Sequence, residues 1–158
     1  MIYMIDTGIF RKLLDHFPKQ GKLFQEIWEK LDKGIKAGDY LSVDECYNEL
    51  IRHFDEKNPN YIWLYERRSM FHNPTNKESI YIRDLFQDAK MCENIHIKNI
   101  VENRPSADVY LAAKAKALGA IVVTTETYKP TSAQLPNICE AMGEKCISYD
   151  DFMEILSE

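Results

Sequence analysis

Four acids in this chain stand where carboxylates gather in an α/β protein: Asp6, Glu49, Asp108 and Glu126. Asp6 ends the run Ile2-Tyr3-Met4-Ile5, which is too short for a helix and reads as a buried strand. Glu126 follows the run 120–125, whose β-branched residues fit a strand buried on both faces. Ligands of an open parallel sheet bind beyond the carboxyl ends of its strands, so both acids fall on one rim. Asp108 lies in the first turn of a helix capped by Ser106, where complementing the helix dipole is by itself a sufficient reason for an acid. Glu49 precedes Leu50, beside the stripe Val43, Cys46, Leu50 and Phe54, and can rim a cleft. Glu45 shares its face one turn earlier. Ser42-Val43-Asp44-Glu45 matches a capping box, however, and that accounts for Glu45. Glu49 is therefore the candidate and Glu45 the reserve.

Carboxylates converging on one rim repel one another unless cations neutralise them, and an all-oxygen donor set selects Mg²⁺ or Mn²⁺. Such a cation makes its water nucleophilic near neutral pH and stabilises charge on the attacking and leaving oxygens, which suits phosphodiester hydrolysis. No serine or cysteine nucleophile is needed. Asp6-Thr7-Gly8 also spells the triplet of aspartic proteases, but those enzymes pair two aspartates. Here the triplet occurs once and precedes a helical pattern. Cys46, Cys92, Cys139 and Cys146 form no CxxC pair and have no histidine at zinc-finger spacing, so they read as reduced, buried thiols. His16, His53, His72 and His96 show no triad or metal spacing and suit surface or packing roles.

The elements that must position these acids follow from periodicity and caps. Ile9, Phe10, Leu13, Leu14 and Phe17 recur at helical spacing up to Pro18; Leu23, Phe24, Ile27, Trp28, Leu31 and Ile35 form a second stripe ending at Gly38. The Ser42 box predicts a helix to about residue 55, and Thr75-Asn76-Lys77-Glu78 opens another through Ile80, Ile82, Leu85 and Phe86. Pro105-Ser106 introduces a helix over 107–118 that stops at Gly119 and feeds directly into the strand at 120–125, the αβ half of a βαβ unit. A short helix over 138–142 closed by Gly143, a strand over 145–147 and a last helix over 149–156 complete the reading. The class is α/β, a parallel sheet between helices.

With 158 residues, 45% hydrophobic and 28% charged, the chain suits one globular domain over 1–158. No apolar run approaches the roughly 20 residues that cross a bilayer, and no signal-peptide pattern opens the chain, so a cytoplasmic location is expected. A net charge of −5 argues against a protein that simply coats nucleic acid, though not against a nuclease, because a carboxylate centre is acidic by construction. Tyr61, Trp63, Tyr65, Arg67, Arg68, Phe71 and His72 admit two readings. They could stack bases and hold phosphates of single-stranded RNA, with Arg67 and Arg68 as RNA-binding residues, or form a helix that packs its aromatics. Because one copy offers so little basic surface, a homodimer is expected, with the 61–86 region near its interface or an RNA groove.

Ile5-Asp6-Thr7 after an apolar strand, Glu49-Leu50 in a helix, residues 107–113 ending in Leu118-Gly119-Ala120, and Val122-Val123-Thr124 leading to Glu126 together resemble a PIN domain. The run 136–143 followed by Cys146-Ile147 is similar to a prokaryotic branch close to VapC-type toxins. The resemblance spans nearly the whole chain. It implies a parallel sheet between helices, Mg²⁺ or Mn²⁺ held by Asp6, Glu49, Asp108 and Glu126, and Thr7 and Thr124 as supporting hydroxyls. It further implies cleavage of RNA by a toxin restrained by an antitoxin protein. At the position after Asp-Thr the family usually carries Asn, and here Gly8 stands. A function of another class that the same residues allow is an RNA- or protein-binding regulatory module with the fold retained and catalysis weakened.

Overall fold

The computed structural model describes residues 1–102 and 106–158. Five short strands, β1 (Tyr3–Ile5), β2 (Tyr40–Val43), β3 (Phe71–His72), β4 (Ile121–Thr124) and β5 (Cys146–Ser148), form an all-parallel sheet in the order β3-β2-β1-β4-β5. Nine helices among the described residues flank it: α1 (Thr7–His16), α2 (Gln25–Ala37), α3 (Asp44–Ile51), α4 (Pro59–Glu66), α5 (Asn76–Phe86), α6 (Ala89–Glu102), α7 (Asp108–Leu118), α8 (Leu135–Met142) and α9 (Tyr149–Ser157). The result is the three-layer α/β sandwich expected of a PIN-like chain.

The centre of the sheet is set by β1 and β4, in register Tyr3 to Ile121, Met4 to Val122 and Ile5 to Val123. Met4, Ile5, Val122 and Val123 are wholly buried, as required of parallel strands covered on both faces. Helix α7 packs across β1, β2 and β4, with α5 and α8 against it, while α2 lies on β2 and α9 on β4 and β5. Alanines on α7, with Ala112, Ala113 and Ala115 wholly buried, let its backbone approach the strands closely. Glu78 and Lys114, both buried, form an ion pair between α5 and α7, and Lys114 also donates to Asn73 O at 2.8 Å. The capping box at Thr75 and Glu78 and the left-handed stops at Gly38, Gly119 and Gly143 form as expected.

Three elements differ from the sequence reading. Tyr40–Val43 is strand β2 rather than the approach to a capped helix. Ser42 does not cap α3: its buried hydroxyl donates to Ile5 O at 2.6 Å, between neighbouring strands, and the N-cap position falls to Val43 without a side-chain cap. Helix α3 ends at Ile51 rather than near residue 55. Helix α6 carries apolar residues at scattered positions, buries only Ile95 and leaves Ile97, Ile100 and Val101 exposed, so no single stripe announces it. Pro105, expected to introduce α7, lies outside the described residues. Among the described residues no helix is long and apolar enough to cross a membrane.

Candidate metal centre

Strand order reverses direction between β1 and β4, since the chain proceeds outward from β1 through β2 to β3 and returns beside β1 as β4. A crevice opens at the carboxyl ends of two strands whose connections diverge in this way. Asp6 is the residue that leaves β1 and simultaneously caps α1, with extended backbone (φ −78°, ψ 158°) and its Oδ1 accepting from Thr7 N at 2.7 Å. Its Oδ2 accepts from the Thr124 hydroxyl at the end of β4 at 2.9 Å. That same hydroxyl accepts from Glu126 N at 3.1 Å, so one threonine fixes the spacing of two acids. Glu126 is held further by Leu135 N, at the start of α8, which donates to its Oε2 at 2.8 Å.

Asp108 enters from the first residue of α7, its own N–H donating to Ser106 Oγ at 3.2 Å. Asp6, Asp108 and Glu126 each present an oxygen within 4.8 Å of the others. Asp6 and Asp108 are buried and Glu126 is half-buried. Glu49 lines the same cleft, of about 230 Å³, and accepts from the Thr7 hydroxyl at 2.7 Å. The structure therefore gathers three of the four acids into one cluster and joins Glu49 to Asp6 through Thr7.

Burial first, and like charge second, raise the carboxyls of the cluster. Burial, then the charges of Asp108 and Glu126, push the Asp6 carboxyl well above the usual carboxylate range, against hydrogen bonds from Thr124 and Thr7 that lower it. Burial and Asp108 likewise raise Glu126, against Leu135 N–H and Lys98. Folded proteins relieve such repulsion with a cation, and oxygen-only donors of this kind fit a hard divalent ion.

Two residues of the site escaped the sequence reading. Lys98 of α6 places its ammonium between Asp108 and Glu126, and no pattern in its neighbourhood betrays this because α6 itself has no clear stripe. Arg11 lines the cleft from α1. A signal existed for it, since it stands one turn after Gly8 on the helix that Asp6 caps. Glu45, held in reserve, has no capping role once Ser42 is in the sheet. Its Oε2 is buried without a hydrogen bond among the described residues, and burial, with Asp44 and Glu49, raises its carboxyl. Gly8 is explained by packing: a Cβ there would run into the Thr125 hydroxyl, which fills the space.

The aromatic and basic segment divides. Trp63 is buried, with its ring on those of Phe10 and Trp28, and Arg67 stacks on Trp63 while clamping Asp32 through bonds of 2.7 and 2.9 Å. Arg68 is exposed, lies over the Tyr47 ring and borders a separate groove with His72 and Lys114. Neither arginine is among the residues lining the acidic cleft.

The model of a family described as "Domain of unknown function (DUF4411)" matches residues 3–157, and the chain belongs to that family. No curated protein matches it. Among solved structures it is similar to VapBC-1 from nontypeable Haemophilus influenzae, at 15% identity and a TM-score of 0.55, over 95% of this chain and 99% of the other. It is also similar to VapBC2 from Rickettsia felis bound to a DNA fragment from their promoter, at 16% identity and a TM-score of 0.56, over 94% and 98% of the two chains. At such identity the likeness establishes a shared fold. That fold is the PIN-like one the sequence resemblance implies.

Proposed function

From the premise of a DUF4411 member with a PIN-like fold, we propose that this protein is a Mg²⁺- or Mn²⁺-dependent endoribonuclease that hydrolyses phosphodiester bonds of single-stranded RNA. The observation that carries this reading is the cluster of Asp6, Asp108 and Glu126 oxygens within 4.8 Å at the point where the sheet order reverses. A divalent ion held there supplies an activated water and charge stabilisation for in-line displacement at phosphorus. Asp6 and Asp108 are the main ligands in this proposal, with Glu126 and Glu49 completing the acidic set. Thr7 and Thr124 orient Glu49 and Asp6 through their hydroxyls. Arg11, on the cleft wall and bonded to Asp15 at 3.2 Å, is the cation this proposal assigns to the substrate phosphate, a role that the sequence reading gave to Arg67 and Arg68. The latter pair suits a more distant stretch of the RNA or a structural role.

The likeness to VapBC structures supports a toxin restrained by an antitoxin protein; action in the cytoplasm and as a homodimer are part of the same proposal. The test is cleavage of a labelled single-stranded RNA by the wild type and by Asp6→Asn and Asp108→Asn in Mg²⁺ or Mn²⁺. Both variants should fold, by circular dichroism, and lose cutting by at least two orders of magnitude, as for loss of a principal electrostatic stabiliser. Wild-type rates in either folded variant would overturn the proposal.

A further inference from the structure

The ammonium of Lys98 is the feature of the acidic centre that a plain carboxylate site does not account for. An ammonium has three N–H donors. Lys98 directs its own at Asp108 Oδ2, at Glu126 Oε1 and Oε2 (3.2 and 3.1 Å) and at Ala133 O (3.2 Å), sharing three protons among four acceptors. Only 11% of the side chain is exposed. None of these bonds reaches Asp6 or Glu49, so the two ends of the centre differ. The Asp108–Glu126 end already holds a cation, whereas at the other end Thr7 donates to Asp6 and Glu49 and Thr124 donates to Asp6.

Two ions in a paired site lie about 3.5–4 Å apart, and both need carboxylates free to bridge them. Glu126 already accepts from Lys98 at both oxygens and from Leu135 N–H at Oε2. A second divalent ion on Asp108 and Glu126 would compete with Lys98 for the same oxygens.

We infer that Lys98 serves as the built-in second cation of this centre, so that the protein takes one divalent ion per chain, at the Asp6–Asp108 edge, with the lysine remaining in place. The inference rests on the metal-centre reading above. Lys98 acts as a positioning residue: it holds Asp108 and Glu126 in fixed orientation and neutralises the charge that a second ion would otherwise cover.

The probe is Mn²⁺ alone, titrated calorimetrically into the wild-type chain and into Lys98→Met, with the electron paramagnetic resonance spectrum recorded at saturation. The wild type should bind one equivalent that gives an isolated-ion spectrum. Lys98→Met should bind two equivalents with an exchange-coupled spectrum. Two coupled ions in the wild type would overturn the inference even if the variant failed to fold. A single equivalent in both folded proteins would overturn it as well, while leaving the metal centre intact. Mn²⁺ bound only by Lys98→Met would show the lysine to be a blocker rather than a companion to the ion. Binding by neither protein would defeat the metal-centre reading itself.

Discussion

Asp6 carries opposing demands in one side chain: it caps α1, receives two hydrogen bonds and yet is raised by burial and by the charges of Asp108 and Glu126. A carboxyl whose folded pKa lies above its unfolded value binds protons more readily when folded, so its contribution to stability falls as pH rises through that interval. Without metal, Asp6→Asn should therefore melt a few degrees above the wild type at neutral pH. The gap should close as the pH falls toward the ordinary carboxylate range and Asp6 takes up its proton. Saturating Mn²⁺ should reverse the order. At one hundred times the dissociation constant an ion adds about 2.7 kcal/mol, or about 5–10 °C for a chain of this size, and the Asn variant should gain far less. Thermal melts in EDTA and in Mn²⁺ over a pH series check this; a wild type more stable than Asp6→Asn in EDTA at neutral pH would refute the repulsion. At this scale Asp6, Asp108 and Glu126 were legible because each is fixed by its place at a strand end or helix start. Lys98 was not, because its role depends on where α6 docks, which no local spacing encodes.

At the scale of elements, the helix-strand contact of α2 with β2 rests on a missing side chain. Gly34 faces the Tyr40 ring so closely that an added Cβ would fall within it, and Tyr40 is itself packed against Tyr3 and Phe152. Overpacking a tight core contact costs about 1–3 kcal/mol, and the helical preference for alanine returns up to about 1 kcal/mol. Gly34→Ala should therefore lose up to about 2 kcal/mol, on the difference of those two terms. Urea unfolding would reveal the loss as a lower midpoint at unchanged slope; an equal or higher midpoint would mean that Tyr40 yields freely. Helices α1, α2 and α5 could be read from their stripes and caps and the ends of α2 and α7 from glycine stops, whereas α6, with no stripe, could not. Strand β2 could not, because Ser42-Val43-Asp44-Glu45 satisfies a capping pattern equally well. What decides the matter is the neighbouring strand: Ser42 spends its hydroxyl on Ile5 O, and Tyr40 pairs with Tyr3. Strand β3, at two residues, is too short to carry any periodicity.

For the whole molecule, charge and assembly matter together. Among the described residues of a chain of net charge −5, Arg67 is bound to Asp32 and Arg11 to Asp15, which leaves a polyanion the proposed ion and the groove beside Arg68 and Lys114. Pairing two copies would join two such surfaces along one strand of RNA and raise affinity through effective concentration. Sedimentation equilibrium at micromolar concentration should give twice the chain mass, and a monomer of undiminished activity would remove the dimer from the account. The central claim, hydrolysis of RNA at a divalent-ion centre, is tested most directly by one assay. Single-stranded RNA is incubated with protein stripped by EDTA and then titrated with Mn²⁺, and the masses of the products are read. The account expects no cleavage until the ion is restored, and then fragments ending in a 3′-hydroxyl and a 5′-phosphate, since water rather than the ribose hydroxyl attacks. Undiminished cleavage in EDTA, or fragments ending in a 2′,3′-cyclic phosphate, would contradict it.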